Sequence, residues 1–189
     1  TTESRGLGDV YKRQFKTWGY STREDRIALL ETFYTLYKKR WNDITDAIIQ
    51  EMGAPKDFAS KLQTGTGASH TKSFIKYLKE FEFEKPLGEH AKNQRLIYEP
   101  KGVCALITPW NWPMNQVTLK VIPALASGCT MILKPSELAP LSAMILAELI
   151  DEAKFPKGVF NLVNGDGATT GDALTLSLIH ISEPTRLCR

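Results

Sequence analysis

The second half of the chain alternates short apolar runs with amphipathic stretches, and this rhythm limits its architecture more than any other feature. Val103–Ile107, Thr130–Leu133 and Val159–Val163 are apolar, strand-like runs. Between them lie a stretch from Asn115 to Ala126, closed by Gly128, and one opened by Pro140 that carries Ile145, Leu146, Leu149 and Ile150. Continuously apolar strands separated by helices pair in parallel and are covered on both faces. The expected fold is α/β: a helical pair and a β-ribbon, then the first half of a doubly wound, Rossmann-like parallel sheet. Ligands of such sheets bind beyond the carboxyl ends of the strands. Three unusual loops fall there: Thr108 to Asn111, Lys134 to Glu137, and Gly165 to Gly167.

Ahead of the sheet the period is helical. Ser21 and Glu24 have capping-box spacing. Ile27, Leu30, Phe33, Tyr34, Tyr37, Trp41, Ile44, Ile48 and Ile49 then recur every three or four residues, one apolar helix stripe ending near Gly53 and Pro55. Lys38, Lys39 and Arg40 read as its solvated face. A second helix is expected from about Lys56 to Phe81, with Gly65 and Gly67 marking a bend or a close helix contact. Phe83 to Tyr98 alternates around Pro86-Leu87-Gly88, as an extended ribbon does.

The two ends stand outside this pattern. Ser4 to Gln14 reads SRGLGDVYKRQ, and Leu176 to Arg186 reads LSLIHISEPTR. One codon choice for the first has a reverse complement that translates into the second without a mismatch over all eleven residues. That DNA resembles a transposase mosaic-end adapter of the kind joined to both ends of library inserts, and such scars are set aside before fold reasoning. The expectation is that residues 1–14 and 176–189 are not native. The remaining insert is 161 residues, Phe15 to Thr175, with 19 basic and 18 acidic side chains and a net charge of +1 instead of +3. It divides into amino-terminal helices and ribbon (15–100) and a partial nucleotide-binding unit (101–175).

Charge and composition then exclude whole classes. A net +1 is far from the basic footprint of a nucleic-acid binder. No apolar run reaches the roughly 18 residues of a spanning helix. Cys104, Cys129, His70 and His90 are too few for a zinc ribbon, so no metal is expected. The separate, apolar neighbourhoods of the two cysteines suggest buried thiols in a reducing cytoplasm, with no evident base or helix terminus to activate either.

Lys134-Pro135-Ser136-Glu137 places an ammonium and a carboxylate at one strand's carboxyl end, where the two can grip the vicinal hydroxyls of a ribose. A surface ion pair beside a turn explains the same residues equally well. Pro109-Trp110-Asn111-Trp112-Pro113 holds an amide between two indoles and two prolines, which suits an oxyanion donor. An asparagine that satisfies its own loop is the plainer account. Gly165, Gly167 and Gly171 miss the G-x-G-x-x-G spacing by one residue and follow the third strand instead of the first, so an ordinary strand-to-helix turn is expected there.

ITPWN, LKVIPALASG, ILKPSE and GVFNLVNGDG, in that order and spacing, resemble the aldehyde dehydrogenase superfamily. The likeness covers Phe15 to Thr175 and is nearest to broad bacterial NAD-linked members. It implies an NAD(P)-dependent oxidation of an aldehyde to the acid through a thioester, with NAD as cofactor and NADP as the alternative, a small-molecule aldehyde as partner, and a homo-oligomeric parent. It also implies roles. Asn111 would donate to the oxyanion. Thr108, Pro109 and Trp110 would line the nicotinamide-ribose side, and Lys134 and Glu137 would hold the adenine ribose with Ser136 beside them. Gly165 would border the adenine, and Lys120 matches a lysine given a proton-relay role in some members. The family's nucleophilic cysteine and general-base glutamate lie downstream of Thr175, so the chain itself is expected to be inactive. A relative reducing an acyl-phosphate or acyl-CoA on the same scaffold is the alternative, and a stand-alone nucleotide-binding module a more distant one.

Overall fold

The computed structural model describes residues 14–91 and 93–176. A helical turn over 14–18 leads into α1 (Arg23–Lys39). Its capping box is built one residue later than expected. Thr22 Oγ1 accepts from the Asp25 N–H at 3.1 Å, and Asp25 Oδ2 accepts from the Thr22 N–H at 3.3 Å. Ser21 does not cap because its hydroxyl donates to the Trp18 carbonyl at 2.6 Å, closing the preceding turn.

The long apolar stripe is real, but it runs over two helices. The chain breaks at Arg40 (φ −97°, ψ 26°) and resumes as α2 (Trp41–Met52), which stops at left-handed Gly53. The side chains of Phe33, Tyr37, Ile44 and Ile48 stay buried across the break. Spacing alone cannot reveal such a break, because Tyr37 and Trp41 keep helical periodicity through it. Arg40 is also more than a solvated charge: it pairs with Asp43 (2.8 Å), Glu148 (2.5 Å) and Glu152 (3.7 Å).

The next helical stretch opens with a π-wound segment, Phe58–Thr64, and continues as α3 (Gly65–Glu80). Gly67 is where helices meet: a Cβ there would strike the Tyr37 hydroxyl and lie 2.7 Å from Met114 Cγ. The expected close contact is therefore present. Tyr37 donates to the Thr64 carbonyl at 2.9 Å, and burial raises its pKa. The ribbon is an antiparallel pair, β1 (Glu84–Pro86) and β2 (Arg95–Ile97), with Glu84 opposite Ile97.

β3 (Val103–Ile107), β4 (Thr130–Lys134) and β5 (Phe160–Leu162) form a parallel sheet in the order β3-β4-β5. The crossovers are α4 (Pro113–Ala126) and α5 (Leu141–Glu152). Right-handed connections between successive neighbours put both helices on one face. That face carries Cys104, Leu106, Met131, Leu133, Phe160 and Leu162, all part of the core or packed on it. β4 is buried along its whole length, including Lys134, which the sequence reading left outside the strand. The sheet's carboxyl ends bring the three loops together.

Candidate functional site

The first loop leaves β3 at Thr108, which is 4% exposed and donates its N–H to the Lys134 carbonyl at 3.2 Å, tying the loop to β4. Pro109, Trp110 and Asn111 are exposed. Trp112 then takes a left-handed conformation (φ 56°, ψ 55°) immediately before Pro113 opens α4. Pro113 disfavours right-handed helical geometry at the residue before it. A bulky side chain at positive φ costs about 1–3 kcal/mol and persists only where its surroundings hold it. The hold here is an edge-to-face contact with Phe58 of the π-wound segment, ring centroids 5.2 Å apart, and a bond from the Gln116 N–H to the Trp112 carbonyl at 3.0 Å. The strain sharply reverses the chain after Asn111. Among the described residues the Asn111 amide makes no hydrogen bond, so it does not satisfy its own loop.

The second loop begins inside the protein. Lys134 is 2% exposed, and its Nζ donates to Glu137 Oε2 at 3.1 Å, while the Glu137 side chain is half exposed. This is not a surface ion pair: one partner is buried and the other reaches to solvent. Ser136 Oγ accepts from the Leu138 N–H at 3.3 Å, and its carbonyl accepts from the Ala139 N–H, so Ser136 closes the turn.

The third loop follows β5. A Cβ on Gly165, which has φ +152°, would collide with Thr170. Asp166 Oδ1 accepts from the Thr169 N–H and hydroxyl, both at 2.7 Å, and caps the π turn Gly167–Gly171. A bond from the Val163 N–H to the Leu133 carbonyl at 2.9 Å carries the sheet pairing up to the loop.

Electrostatics join the second and third loops. The Glu137 carboxyl is held below the ordinary carboxylate range by its own backbone N–H and by Lys134, against a smaller opposing effect of Asp166. Asp166 is lowered by the Thr169 hydroxyl and N–H, and Lys134 adds to this. One buried ammonium therefore serves two carboxylates. Asp166 is the member that sequence reasoning missed, because the segment read as a glycine turn. Its signal was the N-cap spacing of Asp166 to Thr169 at a strand's carboxyl end.

Lys120 lies on α4, and its Nζ donates to Gln116 Oε1 at 3.5 Å. The cysteines required correction. Cys104 and Cys129 do not occupy separate neighbourhoods: both belong to or pack on one hydrophobic core, Cys104 in β3 and Cys129 immediately before its neighbour β4. Among the described residues no group of three or more His, Cys, Asp or Glu is placed to hold a metal. No described helix is long and apolar enough to cross a membrane.

The Lys134–Glu137 pair combines donors and acceptors of the kind that grip vicinal hydroxyls. The Lys134 ammonium has three N–H groups, of which one is directed at Glu137, and the Glu137 carboxylate keeps free lone pairs. Both stand at the carboxyl end of the central strand of this sheet, where such ligands bind.

A sequence profile described as the aldehyde dehydrogenase family matches residues 9–178. A 3-succinoylsemialdehyde-pyridine dehydrogenase from a Pseudomonas species is 47% identical over 164 residues, 86% of this chain and 34% of that protein. The crystal structure of an aldehyde dehydrogenase from Bartonella henselae is 52% identical, with a TM-score of 0.88 over 92% of this chain and 37% of its own. A mutant of aldehyde dehydrogenase C from Pseudomonas syringae, in complex with NAD+ and octanal, is 41% identical with a TM-score of 0.84, covering 88% of this chain and 34% of that one. The chain spans about a third of the length of the relatives it matches.

Proposed function

Because the chain belongs to the aldehyde dehydrogenase family, we propose that it supplies the oxyanion donor and most of the adenosine grip of an enzyme that oxidises an aldehyde to a carboxylic acid through a thioester. The observation that carries this reading is the unpaired Asn111 amide and the Lys134–Glu137 pair at one end of one sheet, their loops joined by the bond from Thr108 to the Lys134 carbonyl.

When bound, NAD accepts the substrate's hydride; NADP is the alternative cofactor. Lys134 and Glu137 would hold the adenine ribose, with Ser136 beside them, and Gly165 would border the adenine. Thr108, Pro109 and Trp110 would line the nicotinamide-ribose side. Asn111 donates its amide N–H to the substrate oxygen as negative charge builds there. Lys120, whose Nζ donates to Gln116 Oε1 at 3.5 Å, matches the proton-relay lysine of some family members and serves equally as a structural lysine of α4. An aldehyde, such as the octanal held by the Pseudomonas syringae relative, is the substrate class. The relatives extend well beyond this chain, and the nucleophile and base belong to that remainder.

We also propose that residues 1–14 and 176–189 are adapter-derived. They lie outside the described residues except for Gln14 and Leu176, and Leu176 is 81% exposed.

The test is made in the uninterrupted enzyme that carries this segment. Asn111→Ala is expected to lower kcat about 10²–10³-fold with little change in the Kd for NAD, the loss typical of one oxyanion donor. The 189-residue chain by itself should form no NADH from an aldehyde. An Asn111→Ala enzyme with full kcat overturns the role of Asn111, and turnover by the chain alone overturns its reading as a part of the enzyme.

A further inference from the structure

We propose that Asn164 is a self-modification site: attack by the Gly165 backbone nitrogen converts its side-chain amide to aspartate and isoaspartate within the folded protein. The chain has six asparagines, and Asn164 is the one followed by glycine. Glycine carries no Cβ to shield its nitrogen from the preceding side chain. The structure adds to that spacing. Asn164 is exposed, and among the described residues neither its amide nor the Gly165 N–H makes a hydrogen bond. No bond has to break before the two approach. The pair lies just past β5, beyond the bond from the Val163 N–H to the Leu133 carbonyl. Position 165 must also stay glycine, because at φ +152° a Cβ would collide with Thr170. The fold therefore preserves the reactive pair.

The other asparagines are held differently. Asn161 Nδ2 donates to the carbonyls of Met131 (3.1 Å) and Gly158 (2.9 Å). The N–H groups that follow Asn93 and Asn115 are engaged, Gln94 with the Ala91 carbonyl (2.9 Å) and Gln116 with the Trp112 carbonyl (3.0 Å). Asn42 and Asn111 precede Asp43 and Trp112, each with a side chain on the carbon next to the attacking nitrogen. Asp166-Gly167 repeats the spacing, but Asp166 Oδ1 accepts from the Thr169 N–H and hydroxyl, both at 2.7 Å. A carboxylate is also a far poorer acyl group than an amide.

The chemistry balances with water as its only co-reactant. The Gly165 nitrogen loses its proton to solvent base and attacks Asn164 Cγ. A C–N bond forms, the Cγ–Nδ2 bond breaks, and ammonia leaves with a proton, closing a cyclic imide. Water then opens the ring at either carbonyl. One opening gives aspartate on the original backbone; the other gives isoaspartate, with the chain running through the side-chain carbon. No electrons are transferred. Either product puts a new carboxylate on the loop that carries Asp166. The modification needs no nucleotide; only its consequence rests on the proposed reading of this loop as the border of the adenine.

The test ages the 189-residue chain in warm, mildly alkaline buffer and, in parallel, in denaturing urea. The tryptic peptide from Gly158 to Arg186 is then mapped by mass and fragmentation. Hydrogen exchange of the β4 amides in the buffer sample selects folded molecules. In these, Asn164 should convert within about threefold of its rate in urea, because the loop imposes no opening step. Asn161 should be slower by about tenfold or more, since its amide must first leave two hydrogen bonds. An isoaspartate methyltransferase should label this peptide in the aged chain and not in aged Asn164→Gln. In the uninterrupted enzyme, Asn164→Asp should raise the Kd for NAD severalfold; an unchanged Kd overturns the adenine reading of the loop and not the modification. An Asn164 amide that survives in folded molecules while converting in urea overturns the proposal. So does a label that persists in Asn164→Gln, which would assign the isoaspartate to Asp166.

Discussion

Glu137 and Asp166 share the Lys134 ammonium, yet they answer to different partners, and substitution can separate them. A 2′-phosphate on the adenine ribose would set negative charge against the Glu137 carboxylate, and like charges repel. Lys134 offsets part of that repulsion. In the uninterrupted enzyme, kcat/KM is therefore expected to favour NAD over NADP by about tenfold, and Glu137→Gln should shift the ratio toward NADP. An unshifted ratio removes Glu137 from the explanation. Asp166 is held below the ordinary carboxylate range first by the Thr169 hydroxyl. A folded pKa below the unfolded one of about 3.9 means the carboxylate stabilises the fold above that value and loses this effect as pH falls through the lowered one. Thr169→Ala should raise the Asp166 midpoint in a carboxyl-carbon NMR titration. A midpoint that does not move would assign the shift to something other than Thr169.

At the scale of elements, α2 and α5 run antiparallel and are clamped at both ends. Pro140, which the sequence suggests as the opener of α5, offers no side-chain cap. The cap comes instead from Glu51, ninety residues earlier, whose carboxylate accepts from the Leu141 N–H (2.6 Å), the Ser142 N–H (3.2 Å) and the Ser142 hydroxyl (2.5 Å). At the other end Arg40 reaches Glu148 and Glu152. The two clamps differ in strength. Glu51 is partly buried, and removing it leaves buried donors without an acceptor, so Glu51→Ala should cost about 1–3 kcal/mol. The Arg40 pairs face solvent, and Arg40→Ala should cost about 1 kcal/mol or less. Urea denaturation midpoints at constant m-value measure both. A larger loss for Arg40→Ala than for Glu51→Ala would reverse this ranking.

At the scale of the whole molecule, Leu30, Phe33, Tyr37, Ile44, Met114, Leu125, Met131 and Leu146 are all below 2% exposure and span α1 to α5. Deleting residues 1–14 and 176–189 together is expected to leave Tm unchanged within about a degree, because the complementary coding of the two ends ties their sequence to DNA handling instead of packing. A fall of several degrees in a calorimetric scan would show that the flanks are part of the folded unit.

The sequence by itself determined the features that depend on local pattern. Continuous apolar runs named the strands, three- and four-residue spacing named the helices, and the three loops at the strands' carboxyl ends were marked before any fold was known. Gly67 was legible as a close contact because only a missing side chain lets a helix approach Tyr37 and Met114. What the tertiary structure alone decided depends on groups distant in sequence. The capping box moved from Ser21 to Thr22 because Trp18 claimed the serine hydroxyl. The break at Arg40 is invisible to a periodicity that continues through it. Glu51 caps a helix that begins ninety residues later, and Cys104 and Cys129 come to neighbouring strands only through the pairing of β3 with β4. The charge of Lys134 is spread over Glu137 and Asp166 only once β4 and β5 lie side by side. Periodicity records which face of an element is buried; it holds no information about which distant donor or acceptor will satisfy a group there, and packing makes that choice.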